Sequence, residues 1–286
     1  MRWGACVAVL AVFAAGVTSC SAPAPAALPD GVTVAVIQPR TEEATGRLAF
    51  EVVNGSHDDI TLTRAEFDSP DYSEPIVWKR HDARLAAGYA IDLRVDPVDP
   101  SCAADADSDA ATVVLDYRLA DGSAGRATLE PTDPFSQFPK IPDRVCVARQ
   151  LDDVAPVAAA HVVSDGLPGH PGRLVLSITP ADNPGDVSPA TLHAIRSTIL
   201  ITLLDAGGLH TPELPVEQDL LALDGPTELD FPIAPARCDT HAIAEDKVGT
   251  LIPIVVTVGA RSDTIRLPST PEFKGEVYAF VQSFCG

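Results

Sequence analysis

Apolar positions along this chain fall into two patterns. One is an unbroken run over residues 3–17, behind a single charge at Arg2. The other is a period of two, in which apolar and other residues alternate over short stretches, as half-buried strands require. Leu48, Phe50 and Val52 alternate this way, and so do Leu174, Leu176 and Ile178. Both stretches open on Gly-Arg-Leu, at Gly46-Arg47-Leu48 and Gly172-Arg173-Leu174. The correspondence continues downstream. Ile91-Asp92-Leu93-Arg94-Val95 precedes Cys102, and Leu229-Asp230-Phe231-Pro232-Ile233 precedes Cys238, with Pro100 and Pro235 shortly before each cysteine. A further apolar strand follows, over 112–119 in one half and 250–258 in the other. Residues 126–131 then parallel 263–268, and each half closes on a cysteine, Cys146 and Cys285. The chain reads as an internal duplication.

Turn clusters such as Asn54-Gly55, Asp121-Gly122 and Asn183-Pro184-Gly185 separate the strands. The 26 prolines argue against long helices, since an interior proline removes a helical hydrogen bond and clashes with the preceding turn. Short strands at regular spacing predict an all-β fold of two tandem antiparallel β-sandwiches. The likeness to immunoglobulin-like domains is loose. A true immunoglobulin domain carries a tryptophan between its two cysteines, whereas Trp78 precedes Cys102. One helical piece is predicted over 240–247, with Asp239 or Thr240 as its N-cap and Gly249 just beyond it.

At the N-terminus, the run over 3–17 is shorter than the roughly 20 apolar residues of a spanning helix. With Arg2 before it, it suits the apolar region of an export signal. Val17-Thr18-Ser19-Cys20 follows and resembles the lipobox of bacterial lipoproteins. That resemblance implies lipidation of the Cys20 thiol, cleavage before it, and anchoring on the outer face of a membrane. Each buried CH₂ of the acyl chains is worth about 0.8 kcal/mol. The predicted organisation is a lipoprotein signal peptide at 1–19, a Pro/Ala tether at 20–29, and β-sandwich domains at 30–150 and 151–286. Cys6 would leave with the signal. The segment at 237–250, Arg-Cys-Asp-Thr-His-Ala-Ile-Ala-Glu-Asp-Lys-Val-Gly-Thr, with the closing Cys285-Gly286, is similar to uncharacterised exported proteins of actinobacteria. That family implies no activity.

Four cysteines remain after Cys20, which allows three pairings. Matching positions in the two halves favour Cys102–Cys146 and Cys238–Cys285, one disulfide per half. The alternative is a metal site on Cys238 and His241, which lacks the second ligand pair that zinc sites normally show.

Composition narrows the function classes. The apolar fraction of 46% is enough for a core. Forty acidic residues against 20 basic ones give a net charge of −20, which repels phosphate backbones and gives no attraction to anionic lipid headgroups. Nucleic acid is excluded as a partner. A search for catalytic motifs returns none: Asp121-Gly122-Ser123-Ala124-Gly125 has Asp where a nucleophile elbow needs glycine. The only methionine is Met1, and none of the seven histidines forms an i, i+4 ligand pair. The acidic loop Asp105-Ala106-Asp107-Ser108-Asp109 fails as a calcium loop, because Ala110 and Asp116 stand where an EF-hand needs glycine and glutamate. Tyr72, Trp78 and Tyr89 form a candidate aromatic cluster in the first half, with core packing as their ordinary role.

No catalytic residue, metal or cofactor is therefore expected. The expected function is a membrane-anchored, extracytoplasmic, non-catalytic binding or accessory module that contacts another envelope protein. The alternatives are a small-ligand-binding lipoprotein and an envelope-acting enzyme whose site assembles across distance.

Overall fold

A computed structural model describes residues 25–80, 82–96, 98–102, 111–137, 140–182, 188–239 and 241–286. The leader expected at 1–19, the expected lipidation position Cys20 and the acidic stretch at 105–109 lie outside the described residues.

The first half runs β1 (Val32–Ile37), β2 (Leu48–Asn54), β3 (Ile60–Asp68), β4 (Ile76–Val77), β5 (Ala83–Leu85), β6 (Ala90–Val95), β7 (Thr112–Leu119), β8 (Ala124–Leu129) and α1 (Lys140–Val154). Its sheets are ordered β1-β2-β6 and β4-β3-β7-β8, with β5 also paired to β3. The second half runs β9 (Val157–Val163), β10 (Gly172–Ile178), β11 (Ala190–Arg196), β12 (Ile201–Leu204), β13 (His210–Thr211), β14 (Glu213–Asp219), β15 (Thr227–Pro235), α2 (His241–Ala244), β16 (Ile252–Val258), β17 (Arg261–Leu267) and α3 (Pro271–Cys285). Its sheets are ordered β9-β10-β15-β12-β13 and β14-β11-β16-β17. Every pairing between these strands is antiparallel.

Alternation decides which side chains face inward. Along β7, Val113, Leu115 and Tyr117 are buried, and along β16, Ile252, Ile254, Val256 and Val258 are. In β3 the phase slips: Ile60 and Leu62 are buried, then Ala65 and Phe67. A register shift between Leu62 and Arg64 causes it, since an extra residue re-aims every later side chain. The inward faces close one core around Phe50, Phe67 and Leu115 and another around Leu176, Leu203, Ile254 and Phe280.

The duplication is visible in the topology. The order and pairing of β1, β2, β3, β6, β7, β8 and α1 repeat in β9, β10, β11, β15, β16, β17 and α3. Both disulfides follow the same plan. Cys102–Cys146 and Cys238–Cys285 span 44 and 47 residues, and each ties the segment after β6 or β15 to a helix. The Cα separations of 5.5 and 5.4 Å fall in the usual disulfide range.

The helices correct the sequence reading. Two 15-residue helices are present, although proline content argued against long ones. Pro142 lies in the first turn of α1 and Pro271 opens α3, where a helix N–H has no partner to lose. Thr270 caps α3 by accepting the Phe273 N–H at 3.1 Å. The helix expected over 240–247 is one turn, His241–Ala244. Helix α1 also runs through residues 150 and 151, so a shared helix joins the two halves. Its Ile141 packs in the first core, while Val147, Leu151 and Val154 pack in the second. Arg261 on β17 reinforces the junction, donating to the Cys102 carbonyl at 3.0 Å and pairing with Asp143 at 3.6 Å.

Residues 25–28 are not free tether. The Ala26 N–H donates to the Ala124 carbonyl at 2.9 Å, and the Tyr117 hydroxyl donates to the Ala26 carbonyl at 2.8 Å. Leu28 packs on the first core. The chain can pass this close only because residue 125 is glycine, since a Cβ there would lie 2.3 Å from the Ala26 oxygen.

Candidate binding groove

The halves differ in what lies between their third and fourth corresponding strands. Residues 197–226 of the second half supply β12, β13 and β14. Strand β12 adds to β15, with Ile201 opposite Pro235 and Leu203 opposite Ile233. The equivalent stretch in the first half, residues 69–89, is shorter and begins the same way. Tyr72 bridges Pro100, and the Ser73 N–H donates to the Asp99 carbonyl at 3.0 Å. The chain then turns away at Pro75 and joins the other sheet as β4, with Phe67 opposite Ile76. Strand β6 is left as a sheet edge.

A groove of about 620 Å³ follows that edge. One wall is formed by β6 residues and their continuation, from Ile91 to Asp96, and the other by Val77, Trp78, Lys79, Arg80 and neighbours. The Trp78 N–H bonds the Ala65 carbonyl at 2.9 Å, which seats the indole in the first core at 5% exposure. Hydrogen-bond alternation shows which β6 groups are unused. The Asn54 N–H donates to the Tyr89 carbonyl, and the register pairs Val52 with Ile91 and Phe50 with Leu93. Bonded pairs recur every second residue in an antiparallel ladder. The backbone groups of Ala90, Asp92 and Arg94 therefore face away from β2, along the open edge.

The groove lining carries four basic side chains, Arg47, Lys79, Arg80 and Arg94, and three acidic ones, Asp82, Asp92 and Asp96. Arg47 pairs with Asp96 at 3.2 Å, Arg94 with Glu42 at 3.1 Å and, at one end, Arg118 with Asp82 at 2.8 Å. Lys79 and Arg80 are exposed and make no ion pair with any described residue. Of the aromatic trio expected in this half, Trp78 and Tyr72 pack against the core, Tyr72 edge-on to Phe67. Tyr89 stands apart, 69% exposed.

A second constellation escaped the sequence. His193 Nδ1 lies 2.9 Å from Glu217 Oε2, and its Nε2 lies 3.0 Å from Thr257 Oγ1. The register of β11 slips beside His193, and Glu217 has a φ of 51°. A carboxylate–imidazole–hydroxyl chain can polarise the hydroxyl. Here the Glu217 side chain is 67% exposed, so solvent screens it. The three groups tie β14, β11 and β16 together across one sheet face. No spacing rule would have found it, because two irregular strands aim these side chains at each other.

Cys238 is held in a disulfide, which removes it as a metal ligand beside His241. Among the described residues no group of three His, Cys, Asp or Glu side chains could hold a metal ion, and no helix is long and apolar enough to cross a membrane. Within 237–250 the Asp246 carboxylate is buried. It accepts the Gly249 N–H at 2.6 Å and the Tyr278 hydroxyl at 2.9 Å. Burial, reinforced by this contact, pushes the Tyr278 phenol well above its ordinary range.

No protein-family model matches the chain, and no curated protein does. Solved structures to which the chain is similar include three with low TM-scores. A red sea bream transglutaminase aligns at 13% identity and a TM-score of 0.20, over 84% of this chain and 31% of its own. The exo-chitosanase CsxA of Amycolatopsis orientalis aligns at 12% and 0.20, over 76% and 25%. A CsuC–CsuE chaperone–tip adhesion subunit complex of Acinetobacter baumannii aligns at 14% and 0.20, over 82% and 98%. The chain spans less than a third of the length of the two enzymes.

Proposed function

We propose that this protein is a lipid-anchored, extracytoplasmic binding module. Cys20 carries the anchor, and the groove along β6 engages another envelope protein. The observation that carries the reading is the groove itself, a concave polar site beside a strand edge and two cations, Lys79 and Arg80, that pair with no described residue, in a chain of net charge −20. The two disulfides support an oxidising compartment, and the shared helix α1 supports a rigid body that presents the groove in one orientation.

The test is photo-crosslinking in living cells, with a photoreactive residue at position 79 and a Cys20→Ala form as control. The expected result is one reproducible envelope partner, captured from position 79 but not from a distant exposed position such as Leu209, and lost without the anchor. A blank from position 79 while the protein is folded and correctly anchored overturns the reading.

A further inference from the structure

The geometry points to strand addition as the way this groove is filled. We propose that an extended acidic peptide segment of the partner protein pairs with the free edge of β6 and completes the three-stranded sheet as a fourth strand. This rests on the binding-module reading above and specifies its ligand.

Three observations carry it. First, the other half of the duplication shows what this position accepts. Beside β15, the counterpart of β6, lies an extended segment of the chain's own, β12, all four of whose residues are buried. The first half starts that segment at Tyr72 and Ser73 and abandons it at Pro75. Second, one wall of the groove is formed by the consecutive residues Ile91 to Asp96, and the ladder register turns the N–H and C=O groups of Ala90, Asp92 and Arg94 away from β2. Such a row is a template for an incoming strand, and main-chain bonds then supply affinity while alternate side chains supply selectivity. Third, charge selects the class of segment. Lys79 and Arg80 line the groove and pair with no described residue, so acidic side chains on the peptide's outer face are favoured beside them. On its inner face the peptide would meet Val77 and Ile91, which suit apolar residues. The recognised pattern is therefore alternating apolar and acidic residues in extended conformation.

The test is a displayed library of random ten-residue peptides, panned on the disulfide-intact body. Enriched peptides are then titrated against Asp92→Ala, Asp92→Pro and a Lys79→Glu/Arg80→Glu double variant, each checked for folding by circular dichroism. Proline at 92 removes an outward N–H and leaves the ladder to β2 intact, as sheet edges tolerate. Alanine at 92 keeps the N–H. The expected result is enrichment of alternating apolar–acidic sequences that bind Asp92→Ala as well as the native protein. They bind Asp92→Pro and the double variant at least tenfold more weakly, and on binding, amide exchange slows at Ala90, Asp92 and Arg94. Should Asp92→Pro fail to fold, the amide-exchange pattern and the charge variant still decide. An empty selection, peptides indifferent to the variants, or enrichment of basic sequences overturns the proposal. So does self-association that Asp92→Pro abolishes, because the occupant is then a second copy. An envelope partner crosslinked at position 79 beside a failed peptide selection would reject strand addition and keep the binding module. The reverse result would do the opposite.

Discussion

Replacing Asp246 with alanine should destabilise the second half by about 3 kcal/mol. The carboxylate is 8% exposed and is the acceptor for two donors, the Gly249 N–H at 2.6 Å and the Tyr278 hydroxyl at 2.9 Å. Hydrogen bonds to a charged group contribute about 1.5–3 kcal/mol each. The two losses are unequal. Tyr278 is half-buried and regains water, which places its loss at the low end. Gly249 is buried and cannot shift to find another partner. A Cβ at 249 would already lie 2.6 Å from Leu200 Cγ, and the Gly249 carbonyl is held by the Thr198 hydroxyl at 2.7 Å. At about 2–4 °C per kcal/mol for a body this size, the melting temperature should fall by about 6–12 °C. Urea unfolding of the single variants, of Tyr278→Phe and of the double variant forms a cycle whose coupling measures the Asp246–Tyr278 bond, about 1–2 kcal/mol. An Asp246→Ala protein within 0.5 kcal/mol of the native one, or an additive cycle, refutes the reasoning. The phenol adds a pH signature. Its pKa is raised in the folded state, so the stability it contributes is complete below the ordinary tyrosine value near 10 and is lost as pH rises past it. Tyr278→Phe should therefore flatten part of the alkaline decline above about pH 10.

Three further outcomes are expected. Cys146→Ser opens a 44-residue loop, worth about 4 kcal/mol in the chain-entropy treatment, and because α1 packs in both cores the unfolding transition of both halves should move; a loss below 1 kcal/mol in urea contradicts this. Gly125→Ala places a methyl against the Ala26 carbonyl and, at 2.5 Å, the Tyr117 hydroxyl, so exchange of the Ala26 amide should rise at least tenfold while the β10 amides stay unchanged. Asp71→Asn should raise the melting temperature at pH 7 and not at pH 3. Burial, with help from Asp143, raises the Asp71 pKa, so its stabilising neutral form is present at low pH and lost as pH rises through the folded value, whereas asparagine stays neutral throughout.

Strand positions, duplication and cysteine pairing were legible because each leaves a local mark. Alternation at Leu48, Phe50 and Val52 recurs at Leu174, Leu176 and Ile178, and cysteines at matching points of two copies must pair alike. The long helices were obscured by weighing prolines by number rather than position. Thr270-Pro271 is a helix start, and Phe273, Val277, Phe280, Val281 and Phe284 continue it at helical spacing. The docking of Ala26 depends on the missing side chain of Gly125, about a hundred residues away, and no local pattern reports such an approach. The groove was illegible for a related reason. Ile76 and Val77 form a two-residue strand, and nothing in two residues says which of two sheets they will join. That choice decides whether β6 has a second neighbour beside β2.

The two copies have diverged beside the counterpart strands β6 and β15. An unpaired strand edge is a liability unless it is blunted or used, and the second copy covers the edge of β15 by laying β12 beside it. Had the first copy merely blunted its edge, charges along β6 would suffice, and Asp92 and Arg94 supply them. It does more. The wall opposite carries Lys79 and Arg80, which pair with no acid among the described residues, in a protein where acidic residues outnumber basic ones two to one. In such a chain a cation is easily neutralised by a neighbour, as Arg47, Arg94 and Arg118 are. Two exposed cations without a described acidic partner, beside a strand edge without a described neighbour, are the features that the proposed acidic strand would satisfy together.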